Sequence, residues 1–543
     1  MTPVVAEPGK PGALELADIQ GNILSAYGKQ GFPKARYLLI NVKNADAGRA
    51  FVRWLYPMIT TAVRWPSRKY GHFGKARAER PKVALNIAFT FWGLQALGVP
   101  IRVLDSFPDA FIEGMARRGV ILGDILPGLP KPAWDPVWQR EEADDGIEKG
   151  HVLLTLNAQM DPKTGQAVPE LEAMTVAIRD HCAQSSGKLQ LLSGHDSSDA
   201  DYQALSALIE ETSDGFQPTA KEHFGYTDSI SDPLFNGQFP KPIEEVRVRG
   251  NGKLNSSGEW VPLATGEFLL GYPDEAQEIP QNGAMRIIAR NGTFVAYRKL
   301  QQNVVRFRTW LDKTAGEFGK MIGVDDPQIA RDTLMAKIAG RWADGAPLAL
   351  YPNHETWMAA SANPAASLNQ RMILSDFAYF DDPMGVKCPL TAHVRRGNPR
   401  DTNGPAPSDG KTPSKSGSVL TDRRRILRRG IPYGACPPNA TTDGEHGIVI
   451  LIMCADLARQ FEFMQQQWVN YGSDANAGND TDPLIGLHGN KAKFVIPGDP
   501  SQGRPPFIAD ALPQFVETRG GAYFFMPSMS ALQMLGLGII DPT

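Results

Sequence analysis

The 543-residue chain is long enough for two domains, and its 42% hydrophobic and 21% charged residues are typical of an ordinary globular protein. Its formal net charge of −3 gives no basic field that would favour nucleic acid or an anionic lipid surface as a partner. The four cysteines form no CxxC pair and no two histidines have helical spacing, which argues against a zinc ribbon, a thiol redox pair or a protein-only metal site.

The N-terminal segment predicts a cytoplasmic protein. It carries acidic residues early and lacks an apolar run of signal-peptide length. The most apolar segment, GIVILIMCA at 447–455, is far short of the roughly 20 residues that a helix needs to span a bilayer. We therefore expect no membrane span.

Five apolar segments rich in β-branched or aromatic residues predict strands. In chain order they are 35–42, 84–92, 151–159, 447–455 and 521–528. A helix is predicted after the fourth strand, where Leu457, Phe461, Met464 and Trp468 recur at helical spacing and form one apolar stripe. Helices that cover one side of a sheet in this way indicate an α+β fold.

Two segments resemble each other and suggest an internal duplication. Residues 89–99 and 523–537 both run from an aromatic strand into a short helix with an LQxLG pattern. We therefore predict two similar halves, residues 1–240 and 241–543. Within the second half, a stretch at about 401–420 is dense in Pro, Gly, Ser and Lys and predicts a mobile surface loop.

Three polar sites along the chain could carry chemistry. The first is EHFGYTDSISDP at 222–233, in which Asp228 is either an ordinary turn or cap residue or an acid–base group. The second is AHVRRGNPR at 392–400, in which His393 is either a surface histidine or the ligand of an anionic metal cofactor. The third is RRRILRRGIPYG at 423–434, either a solvated basic face or a rigid exit that fixes Arg428.

The order and spacing of many short motifs resemble those of the dye-decolourising peroxidases, which are haem enzymes. The resemblance runs nearly end to end, through DIQGNIL (18–24), FGYTDSISDP (224–233), GEFLLGYPDE (266–275), NGTFVAYRKLQQNV (291–304), AHVRRGNPR (392–400), RRGIPYG (428–434), TDPLIG (481–486) and GGAYFFMPS (520–528). It implies two ferredoxin-like halves, each an antiparallel sheet flanked by helices, of the dimeric α+β barrel type.

The resemblance also implies a role for each matched residue. His393 would be the axial ligand of the haem iron, with Asp482 as the candidate partner of its other ring nitrogen. Asp228 and Arg428 would form the catalytic pair on the opposite side of the haem. The remaining cofactor-binding positions are Ser229, Ile230, Ser231, Arg395, Asn398, Pro399 and Arg400.

By the same resemblance, the chain would bind one haem b and reduce hydrogen peroxide. It would oxidise bulky aromatic donors, such as phenols and anthraquinone dyes, through an oxoferryl intermediate, with an acidic pH optimum and self-association of the chain. Two alternatives remain open at this point. One is a haem-binding carrier, store or sensor with little turnover, and the other is a haem-free α+β domain whose arginine-rich stretch binds an anionic partner.

The sequence departs from the family pattern in two places. Ser229 stands where the family's GxxDG motif has its last glycine, which changes the backbone freedom beside Asp228. Val449 and Ile450 are expected where family members often have a leucine and a phenylalanine that shield the peroxide side of the haem.

Overall fold

The protein is built around one antiparallel sheet. The structure, a computed structural model, describes residues 14–65, 67–69, 76–125, 133–139, 148–228, 230–280, 283–361, 374–404, 417–489 and 491–540. Within these residues the sheet has nine strands. Eight of them are β1 (Lys34–Val42), β2 (Val83–Phe89), β3 (Val152–Ala158), β4 (Leu189–Leu191), β5 (Thr293–Gln302), β6 (Leu427–Tyr433), β7 (Gly447–Cys454) and β8 (Val516–Met526). The ninth, Gln203–Ser206, pairs with β1.

The strand order shows the two-fold repeat directly. Across the sheet the strands run β6–β7–β5–β8–β2–β3–β1–β4. If the strands of each half are numbered in chain order, they lie side by side as the second, third, first and fourth strand. This order is seen for β5 to β8 and again for β1 to β4. The predicted fold class, two ferredoxin-like α+β halves, is thereby confirmed.

Most of the longer helices lie between strands along the chain, and α6 follows the last strand. They are α1 (Ala45–Leu55), α2 (Pro169–Gln184), α3 (Val304–Ile322), α4 (Pro327–Ala339), the short α5 (His393–Gly397), two π-helical segments (Leu457–Glu462 and Met464–Val469) and α6 (Met529–Leu537). Side chains cap several of them, as where the Asp326 carboxylate accepts the N–H groups of Gln328 and Ile329 at the start of α4. The predicted apolar stripe is confirmed, because all four of its side chains are buried.

Smaller elements surround this frame. Two-stranded hairpins pair Ser67–Lys69 with Ala76–Ala78, Ile209–Thr212 with Gly215–Pro218, Lys253–Leu254 with Trp260–Val261, and Phe494–Ile496 with Phe507–Ala509. Short α-helices are Gly21–Leu24, Phe91–Ala96, Ile101–Leu104, Asp109–Glu113, Gly119–Leu122, Lys241–Arg247, Arg286–Ala289, His354–Ser361 and Val419–Asp422. Single 3₁₀ turns occupy Tyr27–Gln30, Tyr56–Met58, Pro136–Trp138, Thr265–Glu267, Ser473–Ala475 and Pro500–Gln502.

The two halves meet where β8 pairs with β2, at Phe525 opposite Phe89. These strands belong to the two resembling segments, and each is followed by a capped helix, with Thr90 and Ser528 as the capping side chains. However, β2 is the second strand of its half and β8 is the fourth of the other. The interpretation of these segments as equivalent copies is therefore wrong, although the duplication itself is present.

Part of the predicted loop falls outside the described residues, namely 405–416. Its two described ends lie together, since a Cβ on Gly404 would be 2.6 Å from the carbonyl oxygen of Gly417. The chain therefore returns to the place it left before it enters β6. Among the described residues, no helix is long and apolar enough to cross a membrane.

Candidate active site

His393 is the first residue of the short helix α5, and its imidazole lines a cavity of about 480 Å³. The ring Nδ1 lies 2.8 Å from Oδ2 of Asp482, so the expected hydrogen bond is present. The other oxygen of the fully buried Asp482 accepts the backbone N–H groups of Leu484 and Ile485 at 2.8 and 2.9 Å. These bonds fix the Asp482 carboxylate, which in turn orients the imidazole of His393. The hydrogen bond uses Nδ1 of the ring and does not involve Nε2.

Electrostatics couple this pair. Burial acts to lower the pKa of His393, but the charge of Asp482 and its hydrogen bond outweigh burial, so the pKa is raised. Burial acts to raise the pKa of Asp482, and the charge and hydrogen bond of His393 with two backbone N–H groups reverse that shift, so the pKa is lowered. A buried carboxylate thus makes the imidazole more basic.

Asp228 and Arg428 line the same cavity as His393. The backbone N–H of Asp228 donates to Ala220 at 2.8 Å, and its carboxylate lies against β6, where a Cβ on Gly430 would be 3.4 Å from Oδ2. Arg428 lies on the same strand and donates from Nη2 to the carbonyl of Ile230 at 2.9 Å. The structure therefore brings together the carboxylate and guanidinium that the sequence placed 200 residues apart.

Strand geometry separates Arg428 from its neighbour. Successive side chains of a strand point to opposite sides, so Arg429 leaves the sheet away from the cavity. Its guanidinium donates to the carbonyls of Asn22 and Ile23 at 2.9 and 2.7 Å and pairs with Asp232 at 2.9 Å. Arg429 thus anchors the N-terminal motif, while Arg428 remains at the cavity.

One part of the sheet side of the cavity, formed by β7, is apolar. Ile448, Ile450 and Ile452 of β7 line it, whereas Val449 is fully buried in the core on the other side of the sheet. Ile450 therefore lies at the cavity, whereas the expectation for Val449 is wrong, because successive side chains of the strand point to opposite sides of the sheet. Further apolar lining comes from Val394, Phe461, Met464, Val469, Leu484 and Ile485.

Arginines are concentrated at the cavity. Besides Arg428, its lining includes Arg341, Arg400 and Arg425, and burial lowers the pKa of each of these three to about 10. Arg400 donates from Nη1 to Ser375 at 2.9 Å, while its buried Nε has no hydrogen-bond partner among the described residues. Such a cluster indicates that the cavity suits an anionic group.

Most of the expected cofactor-binding residues lie at this cavity, and two do not. Ile230, Ser231, Asn398 and Arg400 line it, together with the sites above. Ser229 lies outside the described residues. Arg395 and Pro399 lie elsewhere.

Arg395 is displaced by the geometry of α5. Its side chain follows His393 by two positions and so points to another side of the helix. Its guanidinium is buried against Asp382, with Nη1 at 3.0 Å from the carboxylate, and also donates to the carbonyl of Cys388 at 2.7 Å. We therefore correct the expectation that it binds the cofactor. Pro399 likewise lies outside the cavity lining, next to Arg395 in a separate crevice.

Sequence reasoning missed Arg341 and Arg425. Arg341 follows α4 by two residues, and its Nη2 donates to the hydroxyl of Ser231 at 2.9 Å. No local pattern distinguishes it from an ordinary surface arginine. Arg425 lies within the quoted arginine-rich stretch, so that stretch did mark the site but did not indicate which of its arginines face the cavity.

The sequence is similar to those of known proteins. A sequence model for the family described as "DyP dimeric alpha+beta barrel domain" matches residues 18–189. A dye-decolorizing peroxidase of Exidia glandulosa is 28% identical over 542 residues, covering 96% of this chain and 87% of that protein.

Solved structures agree on the fold. The structure of AauDyP with imidazole, from Auricularia auricula-judae, aligns with a TM-score of 0.70 at 24% identity, covering 96% of this chain and 100% of that one. A dye-decolorizing peroxidase in complex with 2,6-dimethoxyphenol aligns with a TM-score of 0.67 at 23% identity and the same coverage.

Proposed function

Because the chain belongs to the dye-decolourising peroxidase family, we propose that it is a haem peroxidase that reduces hydrogen peroxide and oxidises aromatic donors. Phenols and anthraquinone dyes are the donor classes we propose, and the complex of a structural neighbour with 2,6-dimethoxyphenol supports the first of them. The observation that carries the proposal is one cavity that holds His393 on a buried carboxylate together with Asp228 and Arg428.

The residues present fit a haem. The Nδ1 atom of His393 is already bonded to Asp482, so Nε2 remains for the iron, as in most histidine metal ligands. Arg341, Arg400 and Arg425 provide positive charge for propionates, and the Nε of Arg400, which no described residue accepts from, is available as a donor. The isoleucines of β7 provide an apolar wall for the ring. One haem b per chain is the cofactor we propose.

The bound haem would supply the iron that cleaves the peroxide and holds its two oxidising equivalents. Asp228 would take the proton from one peroxide oxygen and return it to the other, which is general acid–base catalysis by a positioned carboxyl group. Arg428 would stabilise the negative charge that develops on the departing oxygen. A fixed donor of this kind contributes on the order of 3 kcal/mol in comparable sites.

An acidic pH optimum follows from this choice of acid–base group. Carboxyl groups titrate near pH 4 and imidazoles near pH 6.5, so a carboxyl shuttle works at lower pH than a histidine shuttle. We expect the reaction with peroxide to persist at about pH 4.5, where an imidazole base would already be protonated. Loss of this reaction between about pH 6.5 and pH 4.5 would contradict Asp228 as the shuttle, because it would indicate a histidine-like base.

The direct test is to mix the haem-loaded protein with one equivalent of hydrogen peroxide at about pH 4.5 and to follow the Soret band by stopped flow. We expect rapid loss of the ferric band, and we expect Asp228→Asn and Arg428→Leu to slow it. An unchanged ferric spectrum in the unsubstituted protein would indicate a haem-binding carrier or sensor instead. A protein that stays colourless after haem addition would leave the haem-free alternative.

Self-association, a cytoplasmic location, the absence of a nucleic-acid partner and the division near residue 240 remain predictions. The repeat of strand order in the two halves supports the division. Light scattering of the purified chain tests self-association.

A further inference from the structure

A second carboxyl group lines the cavity near Asp228. Glu222 lies at the start of the turn that leads to Asp228, and both residues are part of the same cavity wall. Its Oε1 accepts the backbone N–H of Tyr226 and its Oε2 accepts that of Phe224, each at 2.9 Å. One carboxylate therefore holds two N–H groups of the turn at once.

The backbone closes the same turn around this carboxylate. The N–H of Glu222 donates to the carbonyl of Tyr226 at 3.0 Å, and the N–H of Gly225 donates to the carbonyl of Glu222 at 2.9 Å. Gly225 has a φ of 98°, a conformation that glycine adopts without strain. The turn is thus compact, and the Glu222 carboxylate lies inside it.

Gln302 connects the turn to the sheet by a hydrogen bond. It is the last residue of β5, it is buried, and its side-chain amide donates to Oε2 of Glu222. Strand β5 pairs with β7, whose isoleucines line the cavity. Through Gln302, the position of the turn is set by the sheet that also forms one wall of the site.

Asp228 follows directly from this turn. Thr227 donates from its N–H and from its hydroxyl to the carbonyl of Ala343, at 3.0 and 2.9 Å. Lys221 and Thr227 form a β-bridge, so the two ends of the turn lie side by side before Asp228 reaches the cavity. The location of the Asp228 carboxylate therefore depends on the conformation of residues 222–227.

We infer that Glu222 is a positioning residue for Asp228, holding the turn so that the Asp228 carboxylate meets peroxide within hydrogen-bond reach. The inference rests on the proposed function, in which Asp228 is the proton shuttle. Glu222 acts by accepting hydrogen bonds from the turn, through both oxygens when it is ionised and mainly through its carbonyl oxygen when it is protonated. It touches neither peroxide nor the reacting atoms in this role.

The protonation of Glu222 makes this role testable through its dependence on pH. The pKa of Glu222 is raised to about 7, chiefly by burial and also by the charge of Asp228, while the N–H donors of Phe224 and Tyr226 and the amide of Gln302 oppose the shift. Glu222 is therefore neutral in the acid range, where a glutamine has nearly its shape. Glu222→Gln should match the unsubstituted protein well below pH 7 and depart from it only above.

The experiment compares Glu222→Leu, which removes both acceptors, with Glu222→Gln in the haem-loaded full chain. The control is Glu211→Leu, which makes the same change at an exposed position of the 209–212 hairpin. The first readout is the rate of cyanide binding to the ferric protein, because hydrogen cyanide must lose its proton to a nearby base as it binds. The second is hydrogen exchange of amides 224–228 in the haem-free chain.

We expect Glu222→Leu to slow both cyanide binding and the reaction with peroxide by at least tenfold, with unchanged haem content and faster exchange at 224–228. Glu222→Gln should slow them less than twofold at about pH 5 and more at about pH 8. Rates within twofold of the unsubstituted protein in Glu222→Leu would overturn the inference, as would unchanged exchange in the turn.

Two further outcomes remain distinguishable. If Glu222→Leu fails to fold, Glu222→Gln at about pH 8 carries the test, because only one of its two side-chain atoms can accept a backbone N–H. If the unsubstituted protein does not react with peroxide, the proposed function fails. Cyanide binding and hydrogen exchange then still decide whether Glu222 positions Asp228.

Discussion

At the residue scale, Gly430 is the position where a small change meets Asp228 directly. A Cβ there would lie 2.9 Å from Cδ1 of Ile448 and 3.4 Å from Oδ2 of Asp228. The isoleucine end can move, so Gly430→Ala should slow the peroxide reaction modestly. Gly430→Val should slow it at least tenfold with little loss of thermal stability, since β-branched residues suit strands. Stopped-flow rates and melting temperatures check this. Gly316→Ala, whose Cβ meets no neighbour, is the control.

Asp482 provides a second test at this scale. Asp482→Asn keeps the shape of the side chain but removes the charge that makes His393 more basic. A less basic imidazole ligand would stabilise ferric iron less, so we expect a higher midpoint potential in the haem-loaded protein. Spectroelectrochemistry measures the shift. Asp480→Asn, two residues away and paired with Lys493, should leave the potential unchanged.

The site could be predicted residue by residue only where a short motif encodes the geometry. Asp228, His393 and Arg428 each lie in such a motif, and the fold brings them to one cavity. Arg395 lies in one as well, but the direction of a side chain on a five-residue helix is decided by the helix and not by the motif. Arg341 reaches the cavity through tertiary structure alone, so no local signal could have found it.

At the scale of elements, Arg396 fastens helix α5 to the chain that surrounds Asp482. It is 1% exposed, and it donates to the carbonyl of Trp468, at the end of the π-helical segments, and to that of Asp480 at 3.0 Å. Arg396→Met would leave these buried carbonyls without a donor, at about 1–3 kcal/mol each. We expect faster loss of haem, measured by transfer to apomyoglobin, because α5 carries His393. Arg308→Met, at a partly exposed arginine of α3, is the control.

Most of the helices and strands could be predicted from the sequence, because the spacing of apolar residues and the length of each apolar segment identify them. The predicted strand 447–455 is observed as Gly447–Cys454, and its two sides could not be assigned until its partner strands were known. The predicted strand 84–92 ends at Phe89, since Thr90 caps a helix there with its hydroxyl 3.0 Å from the N–H of Gly93. Capping and pairing are decided by contacts between elements, which a single periodic segment does not contain.

At the scale of the whole molecule, the two halves are joined by few strand contacts and by buried ion pairs, which include Lys299–Asp135 and Arg298–Asp124. Lys299 of β5 lies 2.5 Å from Asp135 of the first half, each side chain is 3% exposed, and Lys299 also donates to the carbonyl of His195. Similar segments from the two halves meet at β8 and β2, so the halves associate through unlike strands. Sequence similarity between segments cannot distinguish such a contact from a duplication.

Lys299→Met therefore tests how strongly the halves depend on this pair. The substitution leaves the Asp135 carboxylate buried without the lysine, with Arg519 at 3.3 Å as its remaining cationic partner among the described residues. We expect the free energy of unfolding to fall by about 3–5 kcal/mol, because a buried charge loses its partner. Arg331→Met, which breaks the exposed pair with Asp312, should cost about 0–1 kcal/mol.

Replacing both partners, as Lys299→Met with Asp135→Leu, should cost less than Lys299→Met alone, since no unpaired charge remains. Urea denaturation of the three variants decides this, and equal losses for Lys299→Met and Arg331→Met would show that the buried pair does not hold the halves together.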